Sequence, residues 1–200
     1  MYVSRLSVLN IAQVNLSCPA DGKLHYGDTV MVKVVEQDFY GQNHAHFLAN
    51  NMWDVVDHVK KTIACTATTV DQPVARNTWV ISRPPYKRQQ GTCSDILRYG
   101  DTFCLTSHPR LRLDPNTNIV SPPYYLKSER PDNILGCGSG NRNEVCLTLE
   151  SGSETYWTIL PANGDHLAYE GLDVPIGESV QIVHCSTNQP LGGSLDHKTP

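Results

Sequence analysis

A short pattern recurs three times along this chain and restricts the folds open to it. The first copy is Leu24-His25-Tyr26-Gly27-Asp28-Thr29-Val30-Met31-Val32 and the second is Leu97-Arg98-Tyr99-Gly100-Asp101-Thr102-Phe103-Cys104-Leu105. A looser third copy runs Leu172-Asp173-Val174-Pro175-Ile176-Gly177-Glu178-Ser179-Val180-Gln181-Ile182. Each copy reads apolar or aromatic, glycine, acid, hydroxyl, then alternating apolar positions. Gly27 to Gly100 is 73 residues and Gly100 to Gly177 is 77. A second landmark keeps the same period: Trp79 in Asn77-Thr78-Trp79-Val80-Ile81 and Trp157 in Thr155-Tyr156-Trp157-Thr158-Ile159 lie 78 residues apart. Trp79 precedes Gly100 by 21 residues and Trp157 precedes Gly177 by 20. No third tryptophan strand follows, so the 200 residues hold two full units and the opening of a third. One such unit cannot bury its apolar face alone, and repeated units must share a core.

Composition agrees with short strands and many turns. Tyrosines outnumber phenylalanines nine to three, and there are 14 glycines and 13 prolines, which does not suit a helical bundle. A net charge of −4 argues against a strongly basic nucleic-acid binder. No apolar run approaches the roughly 20 residues of a membrane span. Residues 1–16 make a poor signal peptide, because Arg5, Asn10, Gln13 and Asn15 interrupt the apolar positions. Asn15-Leu16-Ser17 is a glycosylation sequon only in a secreted protein. Seven cysteines, an odd number without a signal peptide, are expected to be reduced thiols.

The expected organisation is an N-terminal segment over 1–20, one domain over 21–191 and a tail over 192–200, the domain comprising units at about 21–95, 96–170 and a partial 171–191. In the first unit, Val30, Val32 and Val34 alternate as in a half-buried strand. Residues 36–46 are polar and read as a loop. Phe47, Leu48, Met52, Val55, Val56 and Val59 fall at helical spacing, with Lys60 and Lys61 at the end where a helix dipole favours cations, so one short helix is expected at about 47–61. Trp79 and Ile81, then Phe103 and Leu105, then Tyr124–Ser128, then Val145, Leu147 and Leu149 read as further strands. Gly136-Cys137-Gly138-Ser139-Gly140-Asn141 reads as a hairpin turn.

No set of residues makes an enzyme. Gly136–Gly140 lacks nucleophile-elbow spacing, and no helix pattern opens after it as a dinucleotide fingerprint needs. His44, His46, His58 and Cys65 are the nearest approach to a zinc set, and no Cys-x-x-Cys exists. No cofactor, metal or catalytic residue is therefore assigned. The sugar-binding Gln-x-Trp of lectin-type repeats is absent, and Trp79 and Trp157 read as core, with Gly27, Gly100 and Gly177 as turn landmarks. The residues that suit contact with a partner are Arg83, Tyr86, Lys87 and Arg88 in a proline-broken basic loop, and Arg110 and Arg112 in a second basic spot.

The order Gly-Asp-x-Phe-x-Leu, Tyr125 to Ser128, Gly138 to Asn141 and Tyr156 to Ile159 resembles MIR-type β-trefoil repeats. With Leu24 to Met31, Arg76 to Ile81, Ile96 to Leu105, Leu167 to Pro175 and His184 to Asn188, the chain more closely resembles the cilia- and flagella-associated protein 161 family over about residues 20–191. It departs from that pattern in a short N-terminal lead and in ending where the family completes its third repeat. The resemblance implies an all-β fold, a MIR-like β-trefoil with an incomplete third lobe. It also implies a structural microtubule inner protein in the A-tubule lumen of axonemal doublets, with α/β-tubulin and neighbouring inner proteins as partners and neither nucleic acid nor membrane. The other reading is an ER-luminal or secreted MIR module that binds glycans or client proteins, which a cleavable signal and paired cysteines would mark.

Overall fold

The computed structural model describes residues 13–37, 43–57, 61–86, 94–114, 116–129 and 143–192. The fold is all-β. Ten strands form among the described residues: β1 (Thr29–Val30), β2 (Lys33–Gln37), β3 (Asn43–Asp57), β4 (Thr62–Thr68), β5 (Trp79–Ser82), β6 (Thr102–Ser107), β7 (Tyr125–Glu129), β8 (Glu144–Thr148), β9 (Trp157–Pro161) and β10 (Val180–His184). The described α-helix is four residues, α1 (His166–Tyr169), with the Asp165 side chain accepting from the Leu167 amide as its N-cap. All strand pairs are antiparallel, in the order β1-β5-β6-β7-β8-β4-β3-β2, with β9 joining β6 to β10.

Period-two alternation builds the two tryptophan strands. Trp79 and Ile81 are buried, with Val80 and Ser82 half-buried between them; Trp157, Ile159 and Pro161 repeat the pattern. Strand β6 is buried along nearly its whole length because β5, β7 and β9 all pair with it. Each indole N–H donates to a backbone carbonyl 31 residues upstream, Trp79 Nε1 to Leu48 and Trp157 Nε1 to Leu126, both at 3.0 Å. The repeat thus extends to the polar tip of each tryptophan, which a buried indole must satisfy.

The three glycine turns meet in a closed ring. The Leu24 amide donates to the Val174 carbonyl at 2.9 Å, Leu97 to Leu24 at 2.8 Å, and Val174 to Leu97 at 3.0 Å. A second cyclic set links Tyr26 to Asp95, Tyr99 to Leu172 and Ile176 to Gly22, at 2.8–2.9 Å. Single bridges pair Lys23 with Pro175, His25 with Ile96 and Arg98 with Asp173, so every copy touches both others. Gly27, Gly100 and Gly177 all have positive φ (101°, 86° and 78°), the backbone state in which a glycine costs least. From the ring upward, equivalent residues of the three copies enter one core: Leu24, Leu97 and Val174; Val30, Phe103 and Val180; Val32, Leu105 and Ile182. At the next level, among the described residues, stand Ile81 and Ile159.

Two local expectations are corrected. The helix at about 47–61 is a strand: β3 pairs with β4 from Phe47↔Thr68 to Asp57↔Thr62. The ladder steps from Asn51↔Ala64 to Val55↔Ile63, so four positions on β3 answer one on β4. This bulge breaks the two-residue alternation and spaces the apolar side chains as a helix would. Lys61, read as a helix-terminal cation, sits at φ 52° in the turn before β4. The loop expected over 36–46 is also partly strand, since β2 reaches Gln37 and β3 begins at Asn43. The glycine-rich hairpin at 136–141 lies outside the described residues.

Candidate functional site

The acids of the glycine turns hold the backbone in place. The His25 amide donates to Asp28 Oδ2 at 2.7 Å and the Arg98 amide donates to Asp101 Oδ2 at 3.0 Å. In the third copy the equivalent residue is Pro175, which has no N–H, and the acid is Glu178. The looser third copy is therefore chemically consistent: where the donor is lost, the short acceptor is lost too. Across the ring, Asp173 accepts from Lys23 Nζ at 2.6 Å and Arg98 Nε at 3.2 Å, and this ion group ties all three copies together. The Lys23 ammonium, with Arg98 behind it, holds the Asp173 carboxyl below the usual carboxylate range.

The tryptophan turns carry a buried polar device that sequence reasoning missed. Asn77 is fully buried; its Oδ1 accepts from the Val74 amide at 2.9 Å and its Nδ2 donates to the Val70 and Gln72 carbonyls. Seventy-eight residues on, the fully buried Thr155 does the same work. Its Oγ1 accepts from the Gly152 amide at 3.2 Å and donates to the Gly152 carbonyl at 2.8 Å. The signal was available: both residues stand two before a repeated tryptophan. Asn and Thr differ in sequence but are both able to bond nearby backbone.

The candidate contact residues differ in how much of them is available. Arg83 Nη2 donates to the Ser94 carbonyl and pairs with Asp95 at 3.1 Å, and its guanidinium lies 4.1 Å from the centre of the Tyr26 ring. Arg83 thus ties strand β5 to the start of the next unit. Tyr86 is 47% exposed and packs edge-on against Tyr156 at 5.3 Å. Lys87 and Arg88 lie outside the described residues. Arg110 is exposed and donates to the Gln13 carbonyl; Arg112 is partly buried and donates to the Ser121 carbonyl. The Pro109–Arg112 turn is capped by His108, whose Nδ1 accepts from the Arg110 amide at 3.2 Å. Burial, then the neighbouring arginines, push the His108 imidazole below its ordinary pKa. Tyr86 and Arg110 are therefore the exposed members of the set among the described residues.

Nothing in the described residues gathers three His, Cys, Asp or Glu side chains as a metal set. Cys65 is a poor nucleophile: burial, with Cys146 nearby, pushes its thiol up to about 12, and its Sγ lies 3.4 Å from the Ala49 carbonyl. His184 is a core residue. Its Nε2 sits 2.9 Å from the Glu154 carbonyl and must donate to it, so Nδ1, 2.9 Å from Thr187 Oγ1, accepts in the neutral ring. No helix among the described residues is long and apolar enough to cross a membrane.

A groove of about 760 Å³ lies beside the ring, between the β1–β2 edge and β10. Val30, Val32, Ile81, Phe103, Ile159 and Val180 line it, with Lys33 and Glu178 at its polar margin. Fold and surface together define an internally repeated all-β domain whose units close on one hydrogen-bonded ring. Residues 9–194 match the cilia- and flagella-associated protein 161-like domain, and the chain belongs to that family. It is 27% identical to cilia- and flagella-associated protein 161 of Bos taurus over 198 residues, covering 94% of this chain and 57% of the relative. It is 24% identical to the Danio rerio protein of the same name over 196 residues, covering 92% of this chain and 60% of the relative. The chain thus spans less than two thirds of the length of these relatives.

Proposed function

We propose that this protein is a structural, non-catalytic component of cilia and flagella, a microtubule inner protein that lines the A-tubule lumen of axonemal doublets. In this reading the fold is a MIR-like β-trefoil, and its loops contact α/β-tubulin and neighbouring inner proteins. The observation that carries the reading is the family match across residues 9–194. Two features support it. The titratable groups with displaced pKa values among the described residues have structural explanations, in burial, in ion pairs that brace the fold or, at Asp114, in the hydrogen bonds of a local turn. Tyr86 and Arg110 are side chains of the kinds that anchor interfaces, set on loops of a rigid β core. Many weak contacts of this kind, repeated along a lattice, hold a protein tightly without any strong single site.

Fractionation of cilia tests the proposal. The protein is expected to stay with doublets after a high-salt wash and to leave only when the doublet wall is dissolved. Release with the soluble matrix would remove the case for docking inside the tubule. Tyr86→Ala combined with Arg110→Ala is expected to weaken retention on doublets while leaving the denaturation midpoint unchanged.

A further inference from the structure

Cyclic imide formation in a polypeptide needs two groups side by side. One is a side-chain carbonyl carbon open to attack, and the other is an unhindered backbone nitrogen on the next residue. Asparagine or aspartate followed by glycine supplies both, because glycine has no Cβ to block the approach. The chain holds two such pairs, Asp21-Gly22 and Asn163-Gly164.

The fold treats the two pairs differently. The Gly22 amide donates to the Pro19 carbonyl at 3.1 Å, which holds that nitrogen away from the Asp21 side chain. Asp21 Oδ1 accepts from the Lys23 amide at 3.2 Å, and its Oδ2 lies 3.2 Å from His25 Nε2. Asn163 and Gly164 are both exposed, in the bend that joins β9 to α1, and Gly164 has φ 102°. Among the described residues neither the Asn163 side chain nor the Gly164 amide makes a hydrogen bond. Asparagine is the chemically labile member of the two residue types. Its carboxamide is neutral, and no hydrogen bond has to break before it turns toward the nitrogen.

We propose that Asn163 is a site of spontaneous deamidation, at which isoaspartate forms as the folded protein ages and loosens the link between β9 and the third glycine turn. The Gly164 nitrogen gives up its proton and bonds to Asn163 Cγ. The C–N bond of the carboxamide breaks, and its nitrogen leaves with that proton as ammonia. Water then opens the cyclic imide. Attack at Cγ breaks the new bond and leaves aspartate; attack at the main-chain carbonyl carbon breaks the original peptide bond and leaves isoaspartate. The net change is one water taken up and one ammonia released, with no oxidant or enzyme.

The position makes the change felt. Both products add a carboxylate, and isoaspartate also adds a backbone atom, since the chain then runs through Cβ and Cγ. Residues 143–197 contain eight Asp and Glu and no Lys or Arg, so no cation of that stretch offsets the new charge. The bend leads into α1, where the Asp165 carboxylate accepts from the Leu167 amide at 3.0 Å. A Cβ on Gly164 would lie 3.5 Å from the Tyr169 ring, and that ring packs edge-on against buried Tyr99 at 5.5 Å. The Leu172 amide donates to the Tyr169 carbonyl, and the Leu172 carbonyl accepts from the Tyr99 amide, so α1 hands the chain to the ring. A longer bend moves α1, and with it the cover over Tyr99. The inference stands apart from the microtubule reading, since it rests on the sequence and the geometry of the bend.

The test follows the whole chain, kept folded in neutral buffer, over time. Mass spectrometry with fragmentation that separates aspartate from isoaspartate reads each site. Labelling by an isoaspartate-specific carboxyl methyltransferase reads the total. Asn163 is expected to convert at least about tenfold faster than every other asparagine and than Asp21, a barrier lower by roughly 1.4 kcal/mol. In denaturant Asp21 is expected to isomerise as well, because its restraining bonds are gone. Asn163→Gln should remove most of the methyl label, since the larger imide closes far more slowly. Aged chain should exchange amide hydrogens faster over 166–172 and melt lower than fresh chain. Asn163→Asp, which adds the charge without the extra atom, should fall between them. No conversion at Asn163, or conversion no faster than at the other asparagines, would overturn the proposal. So would an undiminished label in the folded Asn163→Gln chain, or an aged chain with the exchange and melting of the fresh one.

Discussion

The second and third units begin alike and diverge after their first strand. Both open with a glycine turn in the left-handed region, both send an apolar residue into the ring, and both continue with an alternating strand. The second unit then returns through β7 and β8 to Trp157, whose indole is satisfied at Leu126. The third turns back after His184, pairs Val183 with Pro190, and braces the second unit through the Cys185 amide on Tyr156 and the Ser186 hydroxyl on Ser153. The difference teaches what each part of a unit is for. The glycine turn and first strand serve the shared ring, and the tryptophan strand serves the core between neighbouring units. The described part of the third unit supplies the first of these and closes the ring, with an apolar groove beside it.

This comparison can be broken at several points. The largest effects are expected at the tryptophans. Trp79→Ala and Trp157→Ala should each lower stability by ~3–5 kcal/mol in denaturant titrations, since each removes a fully buried ring and strips a buried carbonyl of its donor. A difference between the two larger than either uncertainty would deny that the two strands are equivalent. Next come the buried turn residues. Asn77→Ala and Thr155→Ala leave the Val74 and Gly152 amides unmet, at ~1–3 kcal/mol each. Loss of stability in only one of the pair would mean that the polar turn is not a repeated device.

The acids of the glycine turns give a sharper contrast. Asp28→Ala and Asp101→Ala should each cost about 1 kcal/mol, whereas Glu178→Ala should stay within about 0.5 kcal/mol, because Pro175 presents no amide to satisfy. Equal costs at all three would show that the acid acts by charge rather than by its backbone bond. The smallest effect concerns His184, which occupies the place of Ser107 in the second unit. Burial holds its imidazole below the ordinary value. The unfolded chain therefore takes up a proton first as pH falls, so stability is complete above about pH 6.5 and declines below it until the folded ring also titrates. His108 is lowered for a similar reason and adds to the same window. Midpoints measured between pH 7.5 and 5.5 should fall for the native chain and fall less for His184→Gln. An unchanged slope would assign the decline to other groups.

The ring and the tryptophan strands were legible in the sequence because they depend on glycine, which marks a backbone conformation, and on a large side chain at a constant interval. The equivalence of Leu24, Leu97 and Val174 was implicit in the spacing, although their cyclic bonding required coordinates. Strand β3 was not legible. Its bulge between Asn51 and Val55 gave Leu48, Met52, Val55 and Val56 a helical spacing, and a single-sequence pattern cannot separate a bulged strand from an amphipathic helix. Strand β4 is hard to read because Ile63 is its one large apolar side chain, set among threonines and the small Ala64, Cys65 and Ala67, which gives little apolar signal. In the contact set, sequence pointed to arginine as a residue type but could not foresee that Arg83 and Arg112 bond carbonyls of their own chain. The polar pair Asn77 and Thr155 escaped notice because the repeat preserves its hydrogen bonds rather than its residue types.

The cyclic bonding of Leu24, Leu97 and Val174 also imposes an order of events on the growing chain. The Leu24 amide finds its acceptor 150 residues later in sequence. On a ribosome the first two units can form hairpins as they emerge, and β6 can cover Trp79, whereas Trp157 waits for β10. The ring itself must stay open until Val174 has left the exit tunnel. Contacts of such long sequence separation form slowly, and their partners are exposed to misassembly in the interval. The glycine turn of the third unit is thus the step that commits the nascent chain to its native state, and a ribosome stalled before residue 174 should carry a chain that protease digests around its glycine turns.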